Sequence, residues 1–161
     1  MNDVYVECLV KAKKSILLKI LKVILIAVTI ATGVLGMMGF IFFLVIAIVA
    51  GAAAYVVYLQ ADVEYEYLYL DKEITVDKVM AKSKRKRMGV YSVDKMEVVA
   101  PVDSYHLDAY KNRTVQEMDY SGTDVKDFAI YYEGGKKIIL SLSEDMVAAL
   151  RNVAPRKVFM E

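Results

Sequence analysis

The sequence is poor in the residues that catalytic and metal sites most often use. Its 161 residues include one cysteine, Cys8, and one histidine, His106. A single cysteine excludes an internal disulfide framework, which fits a reducing compartment. Asp103 and Asp108 flank the histidine, but their spacing matches no metal motif, and no nucleophile with a recognisable signature accompanies them. We therefore predict no catalytic residue, no metal site and no cofactor, and we expect the chain not to be an enzyme.

Charged side chains are missing from one long stretch. Residues 23–59 contain no Asp, Glu, Lys, Arg or His. As one helix this run would be about 55 Å long, whereas the hydrocarbon core of a bilayer is about 30 Å thick. Three glycines within residues 33–39 interrupt it, because each lowers helix stability by about 1 kcal/mol relative to alanine. We predict a transmembrane hairpin with helices at about 15–35 and 40–60, preceded by a cytoplasmic segment, 1–14.

Lysines lie on one side of this hairpin. Five of them precede or enter the first helix, a basic run follows the second helix, and the turn between the helices has no charge; the five are Lys11, Lys13, Lys14, Lys19 and Lys22. The positive-inside rule then predicts a multi-pass protein of the cell membrane with both termini in the cytoplasm. It places Tyr55 and Tyr58 at the inner interface. The competing interpretation of the first helix is a cleaved signal peptide, although no polar segment with a cleavage site follows it.

Small residues recur four positions apart in the second helix, as Ala47 with Gly51 and Ala50 with Ala54. Such pairs let helix backbones approach closely in lipid. Packing within the hairpin is the interpretation that we favour. Packing between copies, which would make the chain a homo-oligomer, stays open.

The hydrophobic period changes to two in residues 61–161, which we predict to form one cytoplasmic domain. Val63, Tyr65, Tyr67 and Tyr69 alternate with acidic or apolar positions, as in a half-buried strand. Residues 74–80 form a second β-rich run, and two short strands follow the basic cluster. Pro101 restricts the later of these to an edge or a strand end. We expect residues 104–125 to be a long loop with room for one more strand.

The end of the domain carries the clearest local signal. Gly134–Gly135 separates two apolar runs and suits the positive φ angles of a tight hairpin turn. Ser141 or Ser143 then caps a helix, with acidic residues in its first turn. The apolar stripe of this helix is predicted at Met146, Leu150 and Val153, and Pro155 ends it.

The order of these elements resembles bacterial pleckstrin-homology-like (PH-like) domains. Residues 65–99 are similar to their strand–turn–strand–basic–strand opening, with Val93–Met96 as the short hydrophobic-x-x-hydrophobic segment, and residues 129–153 are similar to their final hairpin and helix. Two transmembrane helices before the domain match small bacterial membrane proteins of this kind. The resemblance implies an α+β fold, an antiparallel PH-like barrel or sheet capped by a C-terminal helix. It transfers no active site.

The basic run "KSKRKR" is the candidate binding site, through Lys82, Lys84, Arg85, Lys86 and Arg87. Residues 61–161 carry 16 basic and 18 acidic side chains, and a near-neutral domain of this kind argues against nucleic acid. We expect a membrane-anchored module that presents its domain at the inner leaflet to a membrane protein partner or to the lipid surface. The alternative is a domain that binds anionic lipid headgroups or a small ligand through the run, and a solvated turn is the simplest interpretation of the run itself.

Overall fold

The computed structural model describes residues 5–13 and 16–161, which divide into two compact units. One unit contains the two helices and the turn at residues 80–84. The other contains residues 5–13, 64–79 and 85–161. The sheet-bearing unit therefore takes chain from before and after the helical hairpin. Lys14 and the predicted first residue of the first helix, Ser15, lie outside the described residues.

The helical unit consists of α1, Ile16–Met37, and α2, Ile41–Ala61. Both helices are long and apolar enough to cross a membrane. The turn between them includes Gly39, whose φ of 108° falls in the left-handed region. The two predicted helices and the glycine-containing break between them are confirmed.

Small side chains bring α1 and α2 together. Ala50 and Ala54 are buried, and a Cβ atom added to Gly36 would lie 2.5 Å from Leu44 Cδ2. Gly51 lies opposite Thr29, whose Cγ2 would be 3.5 Å from such an added atom. These residues therefore serve the packing inside the hairpin, where small side chains allow close approach.

The first sheet has the order β1-β2-β3-β4, with β1 at Val6–Lys11, β2 at Val63–Leu70, β3 at Glu73–Met80 and β4 at Lys84–Ser92. β1 pairs antiparallel with β2, from Val6 opposite Tyr69 to Lys11 opposite Glu64. No strand was predicted before the first helix. The six residues of β1 give little periodic signal, and their partner strand lies more than fifty positions further along the chain.

The turns of this sheet are tight. Asp71 and Lys72 join β2 to β3, and Ala81 and Lys82 lie in the β3–β4 turn; all four have positive φ angles between 47° and 62°. The prediction that the basic run lies between two strands is wrong, because β4 begins at Lys84 and includes four of the five cations. Carboxylates on β2 and β3 form ion pairs with two of these cations, as shown below.

The second sheet has the order β5-β7-β8-β6, with β5 at Met96–Pro101, β6 at Gln116–Asp119, β7 at Asp127–Tyr132 and β8 at Lys136–Ser141. β6 runs parallel to β8, and the other pairs are antiparallel. The β7–β8 turn has positive φ at Gly134 and Gly135, as predicted. β5 is an edge strand that ends at Pro101, and β6 is the extra strand for which the long loop had room.

The C-terminal helix α3, Glu144–Val153, is capped by Ser143, whose Oγ accepts a hydrogen bond from the Met146 N–H at 3.4 Å. Its buried stripe is Met146, Val147, Ala149 and Leu150. The inward position predicted for Val153 is wrong, because this residue is the last of the helix and is 39% exposed.

Among the described residues, one short bridge joins the two sheets, and the sheets do not close into a barrel. Ala12 pairs with Gly122, and the Thr123 N–H donates a hydrogen bond to the Lys11 carbonyl at 2.7 Å. A Cβ atom at Gly122 would lie 2.5 Å from Lys11 O and 2.8 Å from Val10 Cβ. Only glycine allows this approach. The shared core contains buried side chains from both sheets and from α3, among them Val10 of β1, Tyr67 of β2, Ile130 of β7 and Leu150 of α3.

Candidate functional site

The two arginines of the basic run are paired with carboxylates on other strands of the same sheet. Arg85 Nη2 lies 2.5 Å from Glu66 Oε2 on β2, and Arg87 Nε lies 3.3 Å from Asp77 Oδ1 on β3. The carboxylates are largely buried, with 14% and 12% of their side-chain surface exposed, whereas both arginines are exposed. The charges of Arg85 and Arg87 are therefore partly neutralised by carboxylates of their own sheet.

Glu66 is the least well satisfied member of this group. Among the described residues, no donor makes a well-directed hydrogen bond to its buried Oε2, despite the nearby Arg85 guanidinium. Burial raises the pKa of the Glu66 carboxyl, and so does a hydrogen bond with Glu7 on β1; Arg85 opposes these effects. The outer face of the sheet thus contains crowded carboxylates that the arginines partly neutralise.

The lysines of the run have different surroundings. In the described part of the chain, no carboxylate lies within ion-pair distance of Lys82, Lys84 or Lys86, and all three are exposed. Lys84 Nζ lies 5.4 Å from the centre of the Tyr55 ring of α2. This distance is within the range of a cation–π interaction.

A second pair of the same kind lies within the helical unit. Lys22 Nζ of α1 is 5.2 Å from the centre of the Tyr58 ring of α2. The Ala81 N–H donates a hydrogen bond to the Asp62 carbonyl at 2.7 Å, which holds the turn that precedes Lys84 against the end of α2. Lys22, Lys84 and the two tyrosines therefore form a lysine–tyrosine belt, defined by these four residues, near the ends of the hairpin.

The predicted five-residue site is thus divided. Two members, Arg85 and Arg87, pair within the sheet, while Lys84 joins the lysine–tyrosine belt. Lys22 was not part of the predicted site. Lys22 and Tyr58 lie on the two sides of the hairpin turn at the same predicted depth in the membrane. This relation is the sequence signal that would have added Lys22 to the predicted site.

The histidine and the cysteine serve packing. His106 stacks on the Phe159 ring, with 3.7 Å between ring centres and 15° between planes. The described residues include no group of three or more His, Cys, Asp or Glu that could hold a metal ion. Cys8 is buried in the core, and its Sγ lies 3.9 Å from the Ser141 carbonyl oxygen.

A groove of about 350 Å³ lies between the segment before β7 and α3. Its lining includes the apolar side chains of Val125, Phe128, Leu142 and Val147 and the charged residues Asp124, Lys126 and Glu144.

The two sheets, the short 3-10 segment Val93–Lys95 and the capping helix define a PH-like domain, with two apolar helices between its first and second strands. The chain belongs to the family described as bacterial PH-like domain (DUF6106), whose model matches residues 2–160. The match includes β1 and both helices as well as the two sheets. No curated protein and no solved structure shows significant similarity to the chain.

Proposed function

We propose that this chain is a membrane-anchored, non-enzymatic module. Its helical hairpin holds the PH-like domain at the inner leaflet of the cell membrane, where the domain contacts a protein partner or the lipid surface. Tethering of this kind raises the local concentration of whatever the domain binds.

The pairing of β1 with β2 is the observation that carries the proposal. Lys11 at the end of β1 lies opposite Glu64 at the start of β2, and the chain between them consists of the hairpin. Both ends of the hairpin thus return to neighbouring strands of one sheet. This supports a hairpin of two passes with both flanks on the same side of a bilayer, and the flanking lysines favour the cytoplasmic side.

Labelling of single cysteines in intact bacterial cells tests the topology. In a Cys8→Ala background, we expect an impermeant maleimide to label Met38→Cys, in the turn between the helices, and not Ser83→Cys, in the β3–β4 turn. Permeabilised cells should show labelling of both. The matched pair controls for expression and for thiol reactivity.

Membrane extraction tests the anchoring separately. We expect the full chain to stay in the membrane pellet after alkaline carbonate and to be released by detergent. Release by carbonate would contradict the anchoring, and labelling of Ser83→Cys alone in intact cells would reverse the orientation.

The lysine–tyrosine belt favours a second candidate function, the binding of anionic lipid headgroups. Lysines near an anionic surface each contribute about 1 kcal/mol, and tyrosines suit the interface. The test is native mass spectrometry of the full chain in detergent with phosphatidylglycerol or phosphatidylcholine. Preferential retention of phosphatidylglycerol supports this function, and equal retention contradicts it. The full chain is needed, because a fragment that begins at residue 61 lacks β1.

A further inference from the structure

The edges of the two sheets differ in what lies beside them. β1 and β6 approach each other at the bridge between Ala12 and Gly122. β5 is bordered by the C-terminal segment, where the Val99 N–H donates to the Lys157 carbonyl and the Phe159 N–H donates to the Val99 carbonyl, both at 2.8 Å. These three edge strands have four to six residues.

β4 is the long edge strand, with nine residues. In the described part of the chain, the backbone of residues 85–90 has no hydrogen-bond partner outside its own sheet. The side chains of Arg85, Lys86 and Arg87 are exposed, and Val90 is 43% exposed. This edge therefore presents free backbone donors and acceptors, a line of cations and an apolar side chain.

We propose that the edge of β4 at residues 85–90 binds an extended acidic segment of a partner protein as an added strand. Main-chain hydrogen bonds would supply affinity, as in other cases of strand addition, and the charge of the strand would select the sequence. The inference rests on the proposed function, which brings the domain to a partner at the membrane.

The charges on β4 indicate which spacing of acidic residues the partner segment should have. Arg85 and Arg87 are already paired with Glu66 and Asp77, so Lys86 is the cation of this stretch that has no carboxylate within ion-pair distance among the described residues. Side chains on one face of a strand recur every second residue, about 7 Å apart. Alternate residues of an added strand share one face, so a segment with acidic residues at alternate positions can place one of them opposite Lys86, on the face away from Arg85 and Arg87.

Edge lysines also protect sheets from unwanted pairing, and in that role they repel a strand rather than recruit one. The two roles differ in their response to an acidic peptide. Protection predicts no binding of any extended peptide. Recruitment predicts binding that needs both the acidic side chains and the free backbone amides of the peptide.

The test uses the full chain in nanodiscs of phosphatidylcholine, which carry no net charge. The probe is a short fluorescent peptide of alternating Glu and Thr, and its control is the same peptide N-methylated at alternate residues, with equal charge but blocked amides. We expect binding of the unmodified peptide, slower hydrogen exchange at residues 85–90, and affinity about tenfold weaker for the N-methylated form.

Lys86→Glu and Lys136→Glu form the matched pair of variants, since Lys136 is exposed on the other sheet. We expect about fivefold to tenfold weaker peptide binding for Lys86→Glu and little change for Lys136→Glu. Equal affinity for the N-methylated and unmodified peptides, or equal effects of the two variants, would overturn strand addition.

Two further outcomes would also overturn the inference. One is the absence of peptide binding to the wild-type chain. The other is binding of anionic nanodiscs that depends on Lys86, in the absence of any peptide binding. That result would show that the edge of β4 contacts lipid. Neither outcome affects the carbonate and cysteine-labelling results, so failure here is distinguishable from failure of the proposed function.

Discussion

Lys84 and Arg85 are neighbours in the sequence, but their charges meet different surroundings. The Arg85 guanidinium lies beside the largely buried carboxylate of Glu66, whereas the Lys84 ammonium lies over the Tyr55 ring. Alternate residues of a strand point to opposite faces, so a run of cations in a strand is divided by position. The basic run is therefore two sets of cations with separate roles.

Lys84→Gln tests this division. The free ammonium can bind a lipid phosphate, whereas the charge of Arg85 is already partly neutralised. If the chain prefers phosphatidylglycerol, we expect Lys84→Gln to weaken retention of that lipid about fivefold, which corresponds to about 1 kcal/mol, and Arg85→Gln to weaken it less. Native mass spectrometry of both variants in detergent is the measurement. A larger effect of Arg85→Gln would contradict the division.

Glu66 gives a pH-dependent contribution to stability. Burial and the hydrogen bond with Glu7 raise the pKa of its carboxyl in the folded chain, so the folded state holds the proton more tightly than the unfolded state. The free energy of unfolding should therefore fall as pH rises from the ordinary glutamate pKa through the raised value. We expect Glu66→Gln to remove this fall.

The measurement for Glu66 is urea denaturation of the full chain in detergent, from acidic to neutral pH, followed by the tyrosine signal in near-ultraviolet circular dichroism. Glu133→Gln, an exposed substitution of the same kind, is the control. A wild-type decline in stability that persists unchanged in Glu66→Gln would show that another group causes it.

Among the elements, β1 contacts both sheets of the domain and its core. It supplies Cys8 and Val10 to the core and pairs with β2 over its whole length. At its end, the Lys13 ammonium lies 3.0 Å from Asp127 of β7, and Ala12 pairs with Gly122. The strand before the hairpin therefore connects the two sheets after it.

Gly122→Ala should loosen β1. The added methyl group would meet Lys11 O and Val10 at distances that require the strand to move, at a cost of about 1–3 kcal/mol. Cys8 is the single cysteine and is buried, so faster reaction of its thiol with a maleimide reports this movement. Gly33→Ala, which has open space around the new Cβ, is the control and should react at the wild-type rate.

The N-terminal cap of α3 can be tested by substitution of Ser143. Ser143 Oγ satisfies an N–H of the first turn, so Ser143→Ala should lower the free energy of unfolding by about 1 kcal/mol. Urea denaturation measures it, with the exposed Ser83→Ala as the control. Equal stability of the two variants would mean that water replaces the cap.

For the whole molecule, the hairpin is an insertion between two paired strands. Removal of residues 1–13 should therefore damage the domain more than the loss of a disordered leader would. It uncovers the edge of β2 and removes Cys8 and Val10 from the core. We expect the truncated chain to aggregate after detergent extraction, as seen by size-exclusion chromatography. A monodisperse truncated chain with wild-type stability would contradict the role of β1.

Local patterns predicted much of this fold. The absence of charge and the glycines of residues 33–39 predicted the helices, the glycine pair predicted the β7–β8 turn, and Pro101 predicted a strand end. Each of these signals acts within a few residues. β1 and the parallel strand β6 are short, and each pairs with a strand that does not follow it directly in the sequence. Periodicity alone therefore predicted no strand at β1 and no definite strand at β6.

The candidate site was predicted as one basic run, and the structure divides it. No local pattern relates Arg85 to Glu66, because the two lie on strands separated by β3 in the sheet. Lys22 lies over the Tyr58 ring and Lys84 over the Tyr55 ring, and the four residues come together only once the hairpin has formed. Which cations are neutralised depends on strand register, and register is a tertiary property.

The sequence by itself determined that the chain has two apolar helices, a sheet domain and a C-terminal helix, because hydrophobic period, glycine and proline act locally on the backbone. Only the tertiary structure decided that the segment before the helices completes the sheet and that the basic run divides into arginines paired with carboxylates and exposed lysines. Both depend on which strands lie side by side, and contacts between distant residues set that arrangement.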